Sequence, residues 1–312
     1  RHLAADRTMK LLRFDDNDGQ TLGSINWFGV HTTSVSNRYR KVCYDNKGYA
    51  ADFFEQYIAG LQSKGGVTAF AQDATGDISP NFIWDRKNRE YRGKFEDDYE
   101  SAAYNGQLQF EKAKDIYHSA AKIGKKIEGN IDYVLMYADM SDISIDSSYT
   151  GGLKHETTAQ PTWGMSFLEG TTDGQGATKM MGNAVRMVLG TIRSVEVLAA
   201  RMSKDPQRQR QVMDYYNAHH PKSIIINHET GVTAGAAHPE KLVVPGFIDP
   251  TIKFIKFANK VGYGKKTPWV PKRLPLQIFI IGQLAIVGIP AEITTVAAAR
   301  LRKTVAKVLE ER

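Results

Sequence analysis

Ile25-Asn26-Trp27-Phe28-Gly29-Val30-His31 reads as a strand that ends in an imidazole. Further along, Ala69-Phe70-Ala71-Gln72-Asp73-Ala74-Thr75-Gly76-Asp77-Ile78-Ser79-Pro80-Asn81 reads as a second strand running into a loop that carries a carboxylate and a hydroxyl. Between them Tyr49, Phe53, Tyr57, Ile58 and Leu61 recur at helical spacing, and Gly65-Gly66 ends that helix. Strand, helix and strand in this order point to an α/β fold.

The same periodicities extend outward. Met9–Phe14 is a strand, joined to Thr21–His31 through the turn-forming run Asp15-Asp16-Asn17-Asp18-Gly19, so the two form a hairpin. Val67–Gln72 is a short buried strand, residues 95–128 are helical, and Ile131–Tyr137 is a strand. Gly164–Gly176 holds too many glycines for regular structure and is expected to be a loop. Residues 177–204 and Gln207–Asn217 are helical, and Lys222–Asn227 is a strand. Pro275–Ile281 and Leu284–Ile289 form a hairpin about Gly282-Gln283. Pro290 is expected to open a helix whose Ile293, Val296, Ala297, Leu301, Val305 and Val308 pack on the sheet. No linker or repeat divides the chain, so residues 1–312 read as one domain.

A chain of 312 residues with 42% hydrophobic and 24% charged residues can bury a core without staples. Cys43 has no second cysteine to pair with, and it reads as a small buried hydrophobe. No apolar run reaches the ~18–20 residues of a membrane span. The polar Arg1–Arg7 does not read as a signal peptide. The net charge of +7 favours anionic partners, but the basic residues are scattered and no nucleic-acid-binding motif occurs, so no nucleic-acid partner is expected.

Three side chains invite chemistry, and each has a structural reading as well. His31 alone reads as a hydrogen-bonded structural histidine. Asp77 and Ser79 before Pro80 read as turn or helix caps. Glu292, in Ile289-Pro290-Ala291-Glu292-Ile293-Thr294-Thr295, reads as a carboxylate in a first helical turn, where the helix dipole favours it. His219-His220, His228 and His238 show no metal-ligand spacing and read as surface or loop residues.

Taken together, the three segments resemble the neutral (non-lysosomal) ceramidases. Asn26, Trp27, Phe28 and His31 match a family strand of the form Asn-Trp-Phe-x-x-His. Gly76-Asp77-Ile78-Ser79-Pro80-Asn81 departs from the family's Gly-Asp-Val-Ser-Pro-Asn only at Ile78. Pro290–Thr295, followed by Ala299-Arg300-Leu301-Arg302, resembles the family's Pro-Gly-Glu-Phe-Thr-Thr and its arginine-rich helix, with Ala291 and Ile293 substituted. Gly170-Thr171-Thr172-Asp173-Gly174, Asp45-Asn46-Lys47-Gly48-Tyr49 and Thr267-Pro268-Trp269-Val270-Pro271 fit as well, so the likeness runs from about Met9 to Arg302.

The resemblance implies a layered sheet-and-helix sandwich of the ceramidase catalytic-domain type and a Zn2+-dependent amide hydrolase that cuts ceramide, or a related N-acyl lipid, into sphingosine and a fatty acid. It assigns His31 and Glu292 to the metal, and Ser79 with Asp77 to catalysis. A serine needs a base to attack an amide, and no Ser-His-Asp arrangement is legible here. Two routes stay open: Ser79 attacks with metal-activated water as its base, or that water attacks and Ser79 orients the substrate. The family's other zinc ligands, a second histidine and a tyrosine, come from flanking segments, so the chain reads as the central part of that domain, incomplete at both ends. The resemblance also implies a secreted, periplasmic or cell-surface protein. The aromatic and basic stretch Lys253–Arg273 is a candidate membrane-surface contact. A non-catalytic lipid-binding or structural piece of the same fold is the alternative. An unrelated serine hydrolase is disfavoured by the missing Gly-x-Ser-x-Gly elbow.

Overall fold

A computed structural model describes residues 5–171, 173–176, 178–227, 250–261 and 270–311 of the chain. In chain order the elements are β1 (Lys10–Asp15), β2 (Thr21–Trp27), α1 (Asp45–Leu61), β3 (Val67–Ala71), β4 (Ile83–Asp85), β5 (Glu90–Arg92), α2 (Asp98–Ile123) and β6 (Ile131–Asp139). There follow β7 (Thr162–Gly164), α3 (Met165–Glu169), β8 (Gly170–Thr171), β9 (Gly174–Gln175), α4 (Lys179–Met202), α5 (Pro206–Ala218), β10 (Ile224–Asn227), α6 (Pro250–Lys260), β11 (Arg273–Ile281), β12 (Leu284–Gly288) and α7 (Thr295–Glu310). Sheets and helices alternate, and the fold is α/β as expected. Two compact units are formed, Arg1–Glu128 with Thr172–Gly174 and Ala291–Arg312, and Gly129–Thr171 with Gln175–Pro290.

The first unit is organised by a sheet of order β1-β2-β3. The predicted hairpin is present: Lys10 faces Trp27 and Phe14 faces Gly23, and the turn closes through Asp16, whose carboxylate takes the Gln20 amide at 2.8 Å. β3 runs parallel to β2, with Gly23 opposite Val67 and Trp27 opposite Ala71. A parallel neighbour demands a crossover, and α1 supplies it. Ala50, Phe54 and Ile58, four apart, bury one stripe of α1 completely, and Ala102, Phe110, Ala113 and Tyr117 of α2 meet it. Phe54, Ile58, Phe110, Ala113 and Tyr117 form the core, with Met9, Leu11, Phe53, Tyr57 and Phe70 packed around them. Asp97 caps α2 by accepting the Glu100 amide at 2.9 Å.

In the second unit β6 pairs with β11 along its whole length, Ile131 opposite Ile281 and Asp139 opposite Arg273. The β11–β12 hairpin turns at Gly282-Gln283, where Gly282 takes a φ of 53°, a value that glycine adopts without a Cβ clash. β7 pairs with β10. Helix α4 is capped by Thr178, and α5 by Asp205 with Pro206 in its first turn. Arg186 of α4 grips Glu169 through both guanidinium nitrogens, which holds that carboxyl below its usual range.

Several sequence expectations need correction. Cys43 is exposed rather than buried. Met165–Glu169 is a helix, because five consecutive non-glycine residues suffice for one turn, and Met165 and Leu168 are buried by it. The strand expected to be buried over Val67–Gln72 buries only Thr68, while Val67, Ala69 and Gln72 are exposed. β2 ends at Trp27, so His31 lies in the loop beyond it. The last helix begins at Thr295 rather than Pro290: the Thr294 side chain accepts the Ala297 amide, which places Glu292 ahead of the cap instead of in the first turn. On that helix Ala298 is buried and Leu301 and Val305 are half-buried, while Val296, Ala297 and Val308 face outward. His228, His238, Tyr263 and Trp269 lie outside the described residues, whereas Phe254 and Phe257 are exposed on α6.

Candidate active site

Parallel strands deliver their loops to one end, and the C-terminal ends of such strands are where α/β folds place ligand sites. The loop after β2 carries His31 and the loop after β3 carries Ser79. A cavity of about 590 Å³ opens at the other ends of the same strands, around Thr21, Leu22 and Val67.

Several contacts lock the two loops together. Asn26, fully buried, donates from Nδ2 to the Ala69 carbonyl at 3.2 Å, tying β2 to β3. The Gln72 amide brackets Val30, accepting its N–H at 3.2 Å and donating to its carbonyl at 2.6 Å. The Ala74 carbonyl comes so close to Gly29 that a Cβ there would sit 1.9 Å from its oxygen, so only glycine fits. His31 then meets Ile78, the residue before Ser79, twice: its backbone N–H donates to the Ile78 carbonyl at 3.0 Å, and its ring Nδ1 lies 3.0 Å from the same oxygen.

With Nδ1–H donating to a carbonyl, Nε2 presents its lone pair, the state in which imidazole binds a metal. Nε2 lies 3.2 Å from Oε2 of Glu292. Two lone-pair atoms held this close need a cation between them, either a proton on the ring or a metal. Donors on one edge of a tetrahedral zinc, with bonds of ~2.0–2.2 Å, lie about 3.3–3.6 Å apart. The pair therefore fits zinc in donor type and spacing, and it supplies two positions. Among the described residues no group of three or more His, Cys, Asp or Glu side chains gathers around a metal position.

Glu292 owes its place to the Ser79 loop. Gly76 N–H donates to the Ile293 carbonyl at 2.9 Å, and a Cβ on Gly76 would fall 2.3 Å from the Glu292 carbonyl oxygen. Asp77 accepts the Thr295 amide at 2.9 Å and the Thr295 hydroxyl at 3.0 Å. Asp77 thus faces the start of α7, and its carboxylate anchors the segment bearing Glu292. Arg302 of α7 reinforces the join by reaching Asp6 and Asp73, and Lys10 also binds Asp73 at 2.5 Å. Burial pushes the Asp73 carboxyl up, but Lys10 and Arg302 outweigh it and hold it below the carboxylate range.

Ser79 sits in a second cluster. Its Oγ donates to Asp173 Oδ1 and accepts the Asn81 amide at 3.0 Å. Asp173 lies in the turn between β8 and β9. Its carboxylate also takes the Thr33 hydroxyl at 2.9 Å and Asn81 Nδ2 at 3.1 Å. Thr33 is two residues past His31, so this carboxylate joins the imidazole loop to the hydroxyl loop. In the sequence Asp173 stands inside a matching segment with no role of its own to mark it. Nothing local in Gly170–Gly174 reveals that the chain returns to Ser79.

The N-terminus of α1 holds the imidazole loop from beneath. Asp45 has a φ of 48°, a left-handed conformation that Asp tolerates better than most residues, and its carboxylate accepts the Ser34 and Val35 amides at 3.2 and 2.7 Å. Fully buried Asn46 donates to the His31 carbonyl at 2.9 Å. Lys47 donates to the Phe28 carbonyl at 2.6 Å and to Gln109 at 2.8 Å. Burial pushes the Lys47 amine down to about 7, against the pull of Asp73. A neutral amine has two hydrogens, which match these two acceptors.

Lys47 makes stability pH-dependent with a definite sign. Its folded value, about 7, lies below the ordinary 10.5, so between these limits the unfolded chain binds more protons. Stability then rises with pH across that window, by up to ~1.4 kcal/mol per pH unit, and the burial penalty is full below the folded value. Denaturant titrations from pH 7 to 9 are expected to show this rise in the wild type and not in Lys47→Met. Parallel curves for the two proteins would contradict it.

Residues 2–245 and 254–312 match the family described as neutral/alkaline non-lysosomal ceramidase, N-terminal. Neutral ceramidase A of Dictyostelium discoideum is 29% identical over 97% of this chain and 40% of its own length. The neutral ceramidase of Pseudomonas aeruginosa is 27% identical over 96% of this chain and 37% of its own. The crystal structure of the Pseudomonas aeruginosa neutral ceramidase superposes with a TM-score of 0.62 at 25% identity, covering 98% of this chain and 38% of that one. A ceramidase complexed with C2 gives a TM-score of 0.65 at 26% identity, with 99% and 40% covered. The chain spans about two fifths of the length of these relatives. By the extent of the family match, the chain belongs to the neutral/alkaline non-lysosomal ceramidases.

Proposed function

We propose that this chain carries part of an amide hydrolase that cleaves ceramide, or a closely related N-acyl lipid, into a sphingoid base and a fatty acid. The observation that carries the reading is the double contact of His31 with the Ile78 carbonyl, which sets a metal-competent imidazole one residue from the Ser79 hydroxyl. Relatives named as ceramidases along nearly the whole chain support the substrate class.

His31 and Glu292 would hold zinc. Bound there, the metal would supply a Lewis acid for the amide carbonyl. The chain's own residues do the rest. Ser79 Oγ attacks the acyl carbon, and the Asn81 amide, which donates to Oγ, fixes the direction of the remaining lone pair. Asp77 and Gly76 keep Glu292 against His31. Asn46 and Asp45 keep the imidazole loop from moving when substrate binds.

The test is sphingosine release from an N-acylsphingosine by the full-length protein, with and without added zinc. Release of sphingosine and fatty acid in equal amounts is expected. Binding of the lipid with no release of either product would favour a non-catalytic lipid-binding role.

A further inference from the structure

We propose that Asp173 is the proton acceptor of Ser79. The assignment begins from a need. A serine hydroxyl attacks an amide at neutral pH only if a base takes its proton as the bond forms. The usual partner, histidine, is engaged elsewhere: His31 Nδ1 is bonded to Ile78 and its Nε2 faces Glu292. Asp77, the carboxylate nearest Ser79 in sequence, is bonded to Thr295. The Ser79 hydroxyl has two acceptors, the Asp173 carboxylate and the Asn81 carbonyl at 3.3 Å. Of these only the carboxylate can take a proton.

Its surroundings suit that task. Thr33 and Asn81 donate to Oδ2 and Oδ1, so the carboxylate cannot rotate away from the serine. Asn81 also donates through its side chain to the Thr33 carbonyl at 2.9 Å, which closes a ring through Thr33, Asp173, Ser79 and Asn81. The ring belongs to the first compact unit throughout. A carboxylate is a weaker base than imidazole, so the transfer has to accompany bond formation at carbon rather than precede it.

Given the amide hydrolysis proposed for this site, on which the assignment rests, the step balances without a further reactant. The Ser79 O–H bond breaks and its proton passes to Asp173 Oδ1, while Oγ bonds to the acyl carbon. The C–N bond then breaks, and the proton on Asp173 goes to the departing amine nitrogen. In the second half Asp173 takes a proton from the attacking water and returns it to Ser79 Oγ as the fatty acid leaves.

The experiment uses the full-length protein with two readouts, kcat and KM for sphingosine release and the rate at which a fluorophosphonate probe labels Ser79. In Asp173→Asn, kcat is expected to fall about 10²–10⁴-fold with KM within about threefold, and labelling to slow in parallel. Asp173→Glu, which keeps a proton acceptor, recovers part of both. Thr33→Val removes one donor to the carboxylate and costs no more than about tenfold. An Asp173→Asn protein that labels and turns over at the wild-type rate overturns the assignment. So does unfolding of both Asp173 variants, which would make the carboxylate a tether. A wild-type protein that labels at Ser79 in an Asp173-dependent way, yet releases no sphingosine, leaves the assignment standing and removes the ceramide reading.

Discussion

Replacing Ser79 by alanine is expected to lower sphingosine release by about 10³-fold or more, the range seen when a covalent nucleophile is removed. The substitution deletes one oxygen and leaves the ring around it largely in place. Asp173 keeps Thr33 and Asn81 as donors. His31 keeps both contacts to Ile78, since they use the backbone carbonyl next to the altered residue. The fold should therefore survive, and the melting temperature should stay within a few degrees of wild type. Substrate affinity should change little, because the lost interaction forms in the transition state. Turnover within tenfold of wild type would show that Ser79 orients substrate and does not attack it.

His31→Ala is expected to have the second-largest effect, a loss of about 10³-fold, equal to the several kcal/mol that a Lewis acid contributes to the transition state. The loop should stay where it is, for reasons visible in the backbone. The residue-31 carbonyl still accepts from Asn46, and its N–H still donates to Ile78. What disappears is the ring, with its Nδ1 contact to the Ile78 carbonyl and the Nε2 atom facing Glu292. Elemental analysis of the full-length protein should accordingly find about one zinc per chain in the wild type and little in the variant. Unchanged zinc content together with unchanged turnover would make the imidazole a structural cross-link between two loops.

The architecture around this site was legible where the signal is local. The hairpin announces itself through Asp15–Gly19, and α1 through the spacing of Phe53, Tyr57, Ile58 and Leu61. The β11–β12 turn follows from a glycine placed where φ is positive. Boundaries failed where a long-range contact decides them. Helix α7 starts at Thr295 because Thr294 caps it and Asp77, distant in sequence, takes the Thr295 amide. The strand before His31 stops at Trp27 because Gln72 and Ala74 engage the loop beyond it.

The site divides in the same way. The sequence singles out His31, Ser79 and Glu292 because each sits in a short run of distinctive residues, and folding brings His31 beside Glu292 and beside the Ile78 carbonyl next to Ser79. Asp77 is singled out for the same reason, and in the fold its carboxylate turns to Thr295. Asp173, Asn46 and Lys47 were not singled out, since their meaning lies in partners that only folding brings near. Asp173 lies between two-residue strands whose sequence says nothing of Ser79. Lys47 stands in the sequence only as part of the matching run Asp45–Tyr49, and its burial depends on α2, which brings Gln109 to its amine.

The central claim is that Ser79 carries the acyl group during turnover. The most direct measurement is rapid acid quench of the full-length protein during hydrolysis of a short-chain N-acylsphingosine, followed by mass spectrometry of the peptide containing Ser79. An acyl adduct on Ser79 is expected within the first turnover and is expected to be absent from Ser79→Ala. Full turnover with no adduct on Ser79 at any quench time, and with Ser79→Ala still active, would contradict it.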